Sequence, residues 1–275
     1  MCGRARAFYA SLFSPYPTDP GACRVLWEEL PMVSASDRDW LELPLTLAEF
    51  SEALRHMPTN KSPGMDELTV EFYRMFWDIL GPDLVTVWAE SLQSRVLPLS
   101  CRRAVLALWP KNGDLCDLRN WRPVSLLSTD YKIVVKAISL RLGSVLADVS
   151  HPDQTYTVPD RSIFDNLFLV QDLLELGRRD GLSFALLSLD QEKAFDRVDH
   201  GYLLNTMRLT GLVLREPELR LVLLAYADDV LLVVQDSGDL ARVEACQAIY
   251  SAASSARVNW VKSSGLAGER WCLII

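Results

Sequence analysis

One short stretch constrains this chain more than any other. Ala225 to Val234, AYADDVLLVV, sets two adjacent carboxylates between apolar runs. The flanking LRLVLLA and VLLVVQD have the length and composition of strands. An ionised carboxylate among such neighbours is costly unless it is paired or bound to a cation. Two readings stand side by side. Asp is a common turn residue, so Asp228 and Asp229 can sit in a solvated hairpin turn. Alternatively, the turn carries both carboxylates to one end of a sheet, where they serve a cation.

A second apolar strand, FALLSLD, ends in Asp190. Alone, Asp190 reads equally as an N-cap for whatever follows. The combination says more. Three carboxylates at the ends of two neighbouring central strands suit two Mg²⁺, an ion that prefers a few carboxylates, waters and substrate phosphates. Two such ions clamp the attacking and leaving oxygens of a phosphoryl transfer. Bulk charge points elsewhere: 28 Lys plus Arg against 36 Asp plus Glu give a net −8. A strongly basic nucleic-acid binder is excluded, and contact with a polyanion needs a local basic patch or bound metal. With 49% hydrophobic and 23% charged residues, the chain is neither disordered, collagen-like nor a coiled-coil rod.

No apolar run reaches the roughly 18 residues of a membrane span, and the opening MCGRARAFYASLF is too broken for a signal peptide. The six Cys form no C-x-x-C pair and read as reduced thiols. The expectation is an intracellular protein, nuclear or cytoplasmic, not secreted and without a membrane partner.

Helices and strands mix without strict alternation, which argues for an α+β fold. Residues 1–45, rich in Pro, Ser and Asp, read as an irregular leading segment. Residues 46–180 read as a helical region with a hairpin, and residues 181–275 as the region of the Asp motifs. Thr46-Leu-Ala-Glu49 is a capping box opening a helix that stops before Pro58. Asp66 is placed to cap a second helix with Phe72, Phe76 and Ile79 at helical spacing. Gly81-Pro82 should end it and start another, with Leu84, Val87, Trp88 and Leu92 inward. AVLALWPK and NWRPVSLL read as extended pieces around an Asn112-Gly113 turn, followed by one long helix from Lys132 to Val149 and another over 163–177.

Lys111 and Arg122 flank that turn. Lys offers a point charge and Arg a planar fork for phosphate oxygens, although both also read as solvated surface charges.

Six segments, in order, resemble a known family: NKSPGMDELTVEFYRMFW, LALWPKNGDLCDLRNWRPVSLLSTDYKI, QTYTVPDRSIFDNLFLV, LLSLDQEKAFDRVDH, AYADDVLLVV and RVNWVKSSG. The chain resembles the reverse transcriptase region of a non-LTR, LINE-type retrotransposon over most of residues 7–265. That resemblance implies the fingers and palm of a right-hand polymerase, an RNA template, a DNA primer, deoxynucleoside triphosphates and Mg²⁺, with Mn²⁺ as the alternative metal. It makes Asp190, Asp228 and Asp229 the metal-binding triad. Phe195 matches the bulky residue that polices the sugar 2′ position, beside the plainer reading of a core aromatic. Lys111 and Arg122 match the residues that hold the incoming triphosphate. Lys262 resembles the palm lysine that protonates the leaving pyrophosphate. Asn120 to Ser125 and Gln154 to Asn166 resemble stretches along the template path.

The chain also departs from the family. Asp190 and Asp228 stand 38 positions apart, with no Gly-rich RQGCPLSG-like signature between them. The join near Met207 to Thr210 reads as an internal deletion. Only 13 residues follow Lys262, where a thumb would begin, and no endonuclease region precedes the match. Glu67 and Asp160 occupy positions where the family favours Gly. The expectation is a polymerase domain lacking part of its palm and its thumb, and defective; a non-catalytic remnant or a helical protein- or RNA-binding module is the alternative.

Overall fold

The computed structural model describes residues 2–14, 17–156, 158–182, 184–212 and 229–267. Residues 1–45 are not irregular: they hold α1 (Cys2–Leu12), α2 (Pro20–Trp27) and α3 (Ala35–Leu41). The Pro and Asp that suggested loops are start signals. Asp19 accepts from the amides of Gly21 and Ala22, and Pro20 takes the first helical position.

The capping box forms as expected. The Thr46 hydroxyl accepts from the Glu49 amide at 3.3 Å, and the Glu49 carboxylate accepts from the Thr46 amide at 2.8 Å, opening α4 (Leu47–His56). Two expectations that follow are corrected. Thr69, not Asp66, caps the next helix, α5 (Val70–Met75); Asp66 instead accepts from the Leu68 amide within the preceding turn. Pro82 does not end a helix. It lies inside α6 (Trp77–Ser94), and Phe72, Phe76 and Ile79 are exposed. An interior Pro costs about 3 kcal/mol. Trp88, buried to 4% exposure, and the flanking Leu80, Leu84 and Leu92 pack into one core across that site and outweigh it.

β1 (Ala104–Pro110) and β2 (Trp121–Leu127) pair antiparallel. Asn112-Gly113 is not a tight two-residue turn: the connection spans 111–120, although Gly113 does take φ +114°. The expected single helix over 132–149 is two, α7 (Thr129–Gly143) and α8 (Leu146–Val149). Then come α9 (Ile163–Asp180), β3 (Ala185–Asp190), α10 (Ala194–Arg197), α11 (His200–Thr210), β4 (Asp229–Val234), α12 (Ser237–Ser254) and β5 (Ser264–Ala267). The strand expected before Asp228 lies outside the described residues.

The described residues divide into two compact units. Residues 35–145 form one. Its core joins Phe50, Ala53 and Leu54 of α4 to Ile133, Val134 and Ala137 of α7. Beside it the buried Arg141 guanidinium donates to the Glu49 carboxylate and to the carbonyls of Leu41, Leu43 and Pro44. Burial raises the Glu49 pKa, but its bonds to the Thr46 amide and to Arg141 outweigh that and leave it below the usual carboxylate range.

The other unit combines residues 1–34 with described residues from 146 onward. The chain-order division at 45 and 180 does not coincide with these units, because the first helices return to the last third of the chain. The Trp27 indole N–H donates to Thr206 of α11 at 2.9 Å and its ring stacks on Tyr202. The Asp19 amide donates to the Ala252 carbonyl of α12.

Candidate active site

β3 is the middle strand of an antiparallel sheet ordered β4-β3-β5. Its run ALLSLD is buried at Ala185, Leu186, Leu187 and Leu189, as a central strand requires. Alternation along the strand assigns the two faces. Leu187 and Leu189 share one face and form a core with Val234, with Leu240 and Val243 of α12 packed against it. Asp190 belongs to the opposite face, at the strand's C-terminal end.

The β3–β4 register sets Asp190 directly across from Asp229. Opposed positions in an antiparallel pair share a face, with Cα atoms about 4.5–5.5 Å apart. Two carboxylate-bearing positions from distant parts of the sequence therefore meet at one end of the sheet. Asp228, the third of the expected triad, lies outside the described residues. Among the described residues no three His, Cys, Asp or Glu gather as a metal site.

Asp190 is held in place from both sides of its main chain. Its amide donates to the Ser263 hydroxyl at 3.1 Å, and its carbonyl accepts from the Asn259 amide at 2.7 Å. Gln191 bridges Val258 beside it. The turn over 259–263 is closed by its own bonds, from the Lys262 and Ser263 amides to the Asn259 carbonyl. This turn delivers Lys262 to Asp190, with Nζ 3.8 Å from Oδ2. That separation is an ion pair but not a hydrogen bond. Oδ2 is itself buried and has no hydrogen-bond partner among the described residues. A desolvated carboxylate oxygen is costly, and the Lys262 ammonium at 3.8 Å offsets only part of that cost.

Of the remaining expected residues, Phe195 lies in α10, five positions past Asp190. Lys111 and Arg122 lie in the other unit, on the β1–β2 ribbon. Arg122 opposes Trp109, and the Lys111 amide extends the ladder by donating to the Asn120 carbonyl at 2.7 Å. That pairing puts Lys111 and Arg122 on one face of the ribbon, both exposed. The loop between them is shaped by Asn120 and Trp121, which donate to the carbonyls of Asp114 and Leu115. The stretch from Gln154 to Asn166 is ordered by Arg161, which donates to the His151 and Gln154 carbonyls, and by Asn166, which donates to the Asp153 carbonyl.

Asn259 and Ser263 went unread in the sequence. The signal was present, since both flank Lys262 in NWVKSS, but nothing local shows that a main chain some 70 residues upstream is their partner.

A profile of the reverse transcriptase (RNA-dependent DNA polymerase) family matches residues 109–215. The chain is 54% identical to a Transposon TX1 uncharacterized 149 kDa protein from Xenopus laevis, over 96% of this chain and 25% of that protein. It is 29% identical to a retrovirus-related Pol polyprotein from type-1 retrotransposable element R2 of Popillia japonica, over 38% of this chain and 14% of that one. The chain thus spans a quarter or less of these relatives. The Xenopus match runs over 327 aligned residues against a chain of 275, so at least 52 residues of the relative have no counterpart here. These matches identify the reverse transcriptase domain of a non-LTR retrotransposon in this chain, the family that its motifs resemble.

Proposed function

We propose that the chain is the nucleotidyl-transfer portion of an RNA-directed DNA polymerase with a right-hand fingers-and-palm plan, and that it is defective as it stands. The opposition of Asp190 and Asp229 across β3 and β4, with Lys262 3.8 Å from Asp190, carries the reading. The donor set fits a hard divalent cation: carboxylate-bearing positions on one face, and a buried Oδ2 with no hydrogen-bond partner among the described residues. Asp190, Asp228 and Asp229 would hold Mg²⁺ or Mn²⁺. When bound, such ions stabilise the attacking and leaving oxygens of phosphoryl transfer.

The chain's own residues divide the remaining work. Lys111 and Arg122, on one face of the β1–β2 ribbon, supply exposed cations for the triphosphate of an incoming deoxynucleotide. Lys262 offers a proton donor beside the acidic pair. Phe195 stands at the position that would screen the sugar. Asn120–Ser125 and Gln154–Asn166 would each shape the path of the RNA template.

Two observations support the defect. At least 52 residues of the Xenopus relative are missing inside the matched span, and the family profile ends at residue 215, ahead of Asp228. The test is primer extension on an RNA template with Mg²⁺. The expected result is no extension. Robust extension that disappears in Asp229→Ala would sink the defect while upholding the site. A binding-module reading is favoured by α9, which exposes Ile163, Phe164, Leu167 and Phe168. It predicts retained RNA or protein binding after Asp190→Asn, without extension.

A further inference from the structure

We propose that Lys262 is a tethered counter-cation that competes with the divalent metal for Asp190 and has to leave before the metal binds. The inference rests on the reading of Asp190 as a metal ligand. Its basis is the shape of the 259–263 turn. Among the described residues the hydrogen bonds that fix the turn to Asp190 come from the main chain and Ser263, and the Lys262 side chain adds none. That side chain is 66% exposed and ends 3.8 Å from Oδ2. It can therefore swing into solvent without opening the sheet. Asp190 presents the converse: its Oδ2 is buried, without a hydrogen bond among the described residues, and faces this one ammonium.

A buried carboxylate oxygen with no hydrogen bond is costly, and a nearby cation of either kind offsets the cost. An ammonium held 3.8 Å from Oδ2 and a divalent ion bound to that oxygen repel each other. The ammonium, longer-ranged and partly solvated, stabilises the metal-free site and weakens metal binding by the same coupling. Lys262 thereby sets a threshold of metal concentration below which Asp190 keeps its internal cation.

The experiment is a Mn²⁺ titration of the full chain followed by electron paramagnetic resonance, with circular dichroism to show that each variant is folded. Lys262→Met should tighten Mn²⁺ binding about three- to tenfold, the range expected for removing one partly exposed competing charge. Arg242→Met removes an equal charge from the exposed face of α12 and should leave the affinity unchanged. Asp190→Asn should abolish the site in both backgrounds. Equal Mn²⁺ affinity in Lys262→Met and the parent, with binding still lost in Asp190→Asn, overturns the competition and leaves the metal reading intact. Binding that survives Asp190→Asn, or no binding in any variant, overturns both.

Discussion

At the scale of single residues, two acids occupy backbone conformations that suit glycine better. Glu67 sits at φ 58° and Asp160 at φ 62°, both in the left-handed region. A side chain there costs about 1–2 kcal/mol, less for Asp than for Glu because a short polar side chain can bond locally. Glycine removes that cost but adds flexibility to the unfolded chain, which returns part of the gain. Glu67→Gly should therefore stabilise its unit by about 0.5–1 kcal/mol, and Asp160→Gly by less. The check is a urea unfolding midpoint for each variant. An unchanged or lowered midpoint for Glu67→Gly would show that the turn closed by its amide bond to the Gly64 carbonyl carries no strain. Both positions were legible in the sequence as acids out of place. Lys262 was singled out in the sequence by its motif, but its 3.8 Å ion pair with Asp190 was not. Ser263 and Asn259 were not, because their role is to grip a main chain rather than to show a chemical group of their own.

Elements were legible where the signal is local. The capping box at Thr46 and the nearly all-apolar β3 form as read, since each depends on neighbours within a few residues. Pro82 and Asp66 misled because local rules were outvoted: by the core around Trp88 in one case, and by a better-placed Thr69 hydroxyl in the other. The turn NKSPG shows a third kind of limit. Gly64 reads as a plain turn glycine, yet it lies against the main chain where β2 gives way to α7. A Cβ there would stand 2.5 Å from the Ser128 nitrogen and 2.7 Å from the Leu127 carbonyl carbon. Backbone cannot yield as a side-chain tip can. Gly64→Ala should thus destabilise the 35–145 unit by about 1–3 kcal/mol, the usual cost of overpacking. Gly3→Ala, with open space around its Cβ, is the control. Thermal unfolding compares the two, and equal melting points would mean that the β2–α7 junction is looser than its geometry.

For the whole molecule, the question is what specifies the pairing of Asp190 with Asp229 in a chain shorter than its match in the Xenopus relative. The answer lies in which interactions specify it. The β3–β4 register is fixed by two apolar runs that bury one face against α12, and a one-residue slip would turn Leu187 and Leu189 away from that core. Nothing in that specification requires the residues that the Xenopus relative has and this chain lacks. Nucleotide and template, by contrast, need surfaces that strand pairing alone does not supply, since a productive site must be held within about half an ångström by its surroundings. On the proposed reading the two halves of the function separate: metal binding should persist in this chain and polymerisation should not. Grafting the relative's unmatched residues, 52 or more, between Thr210 and Asp228 should restore Mg²⁺-dependent extension at least tenfold over background, the smallest gain that still corresponds to about 1.4 kcal/mol of transition-state stabilisation. Asp190→Asn in the grafted chain should abolish it. A grafted chain that folds, binds Mn²⁺ and still extends nothing would place the defect elsewhere, and Glu67 and Asp160, both at positive φ, would be the next positions to replace by Gly.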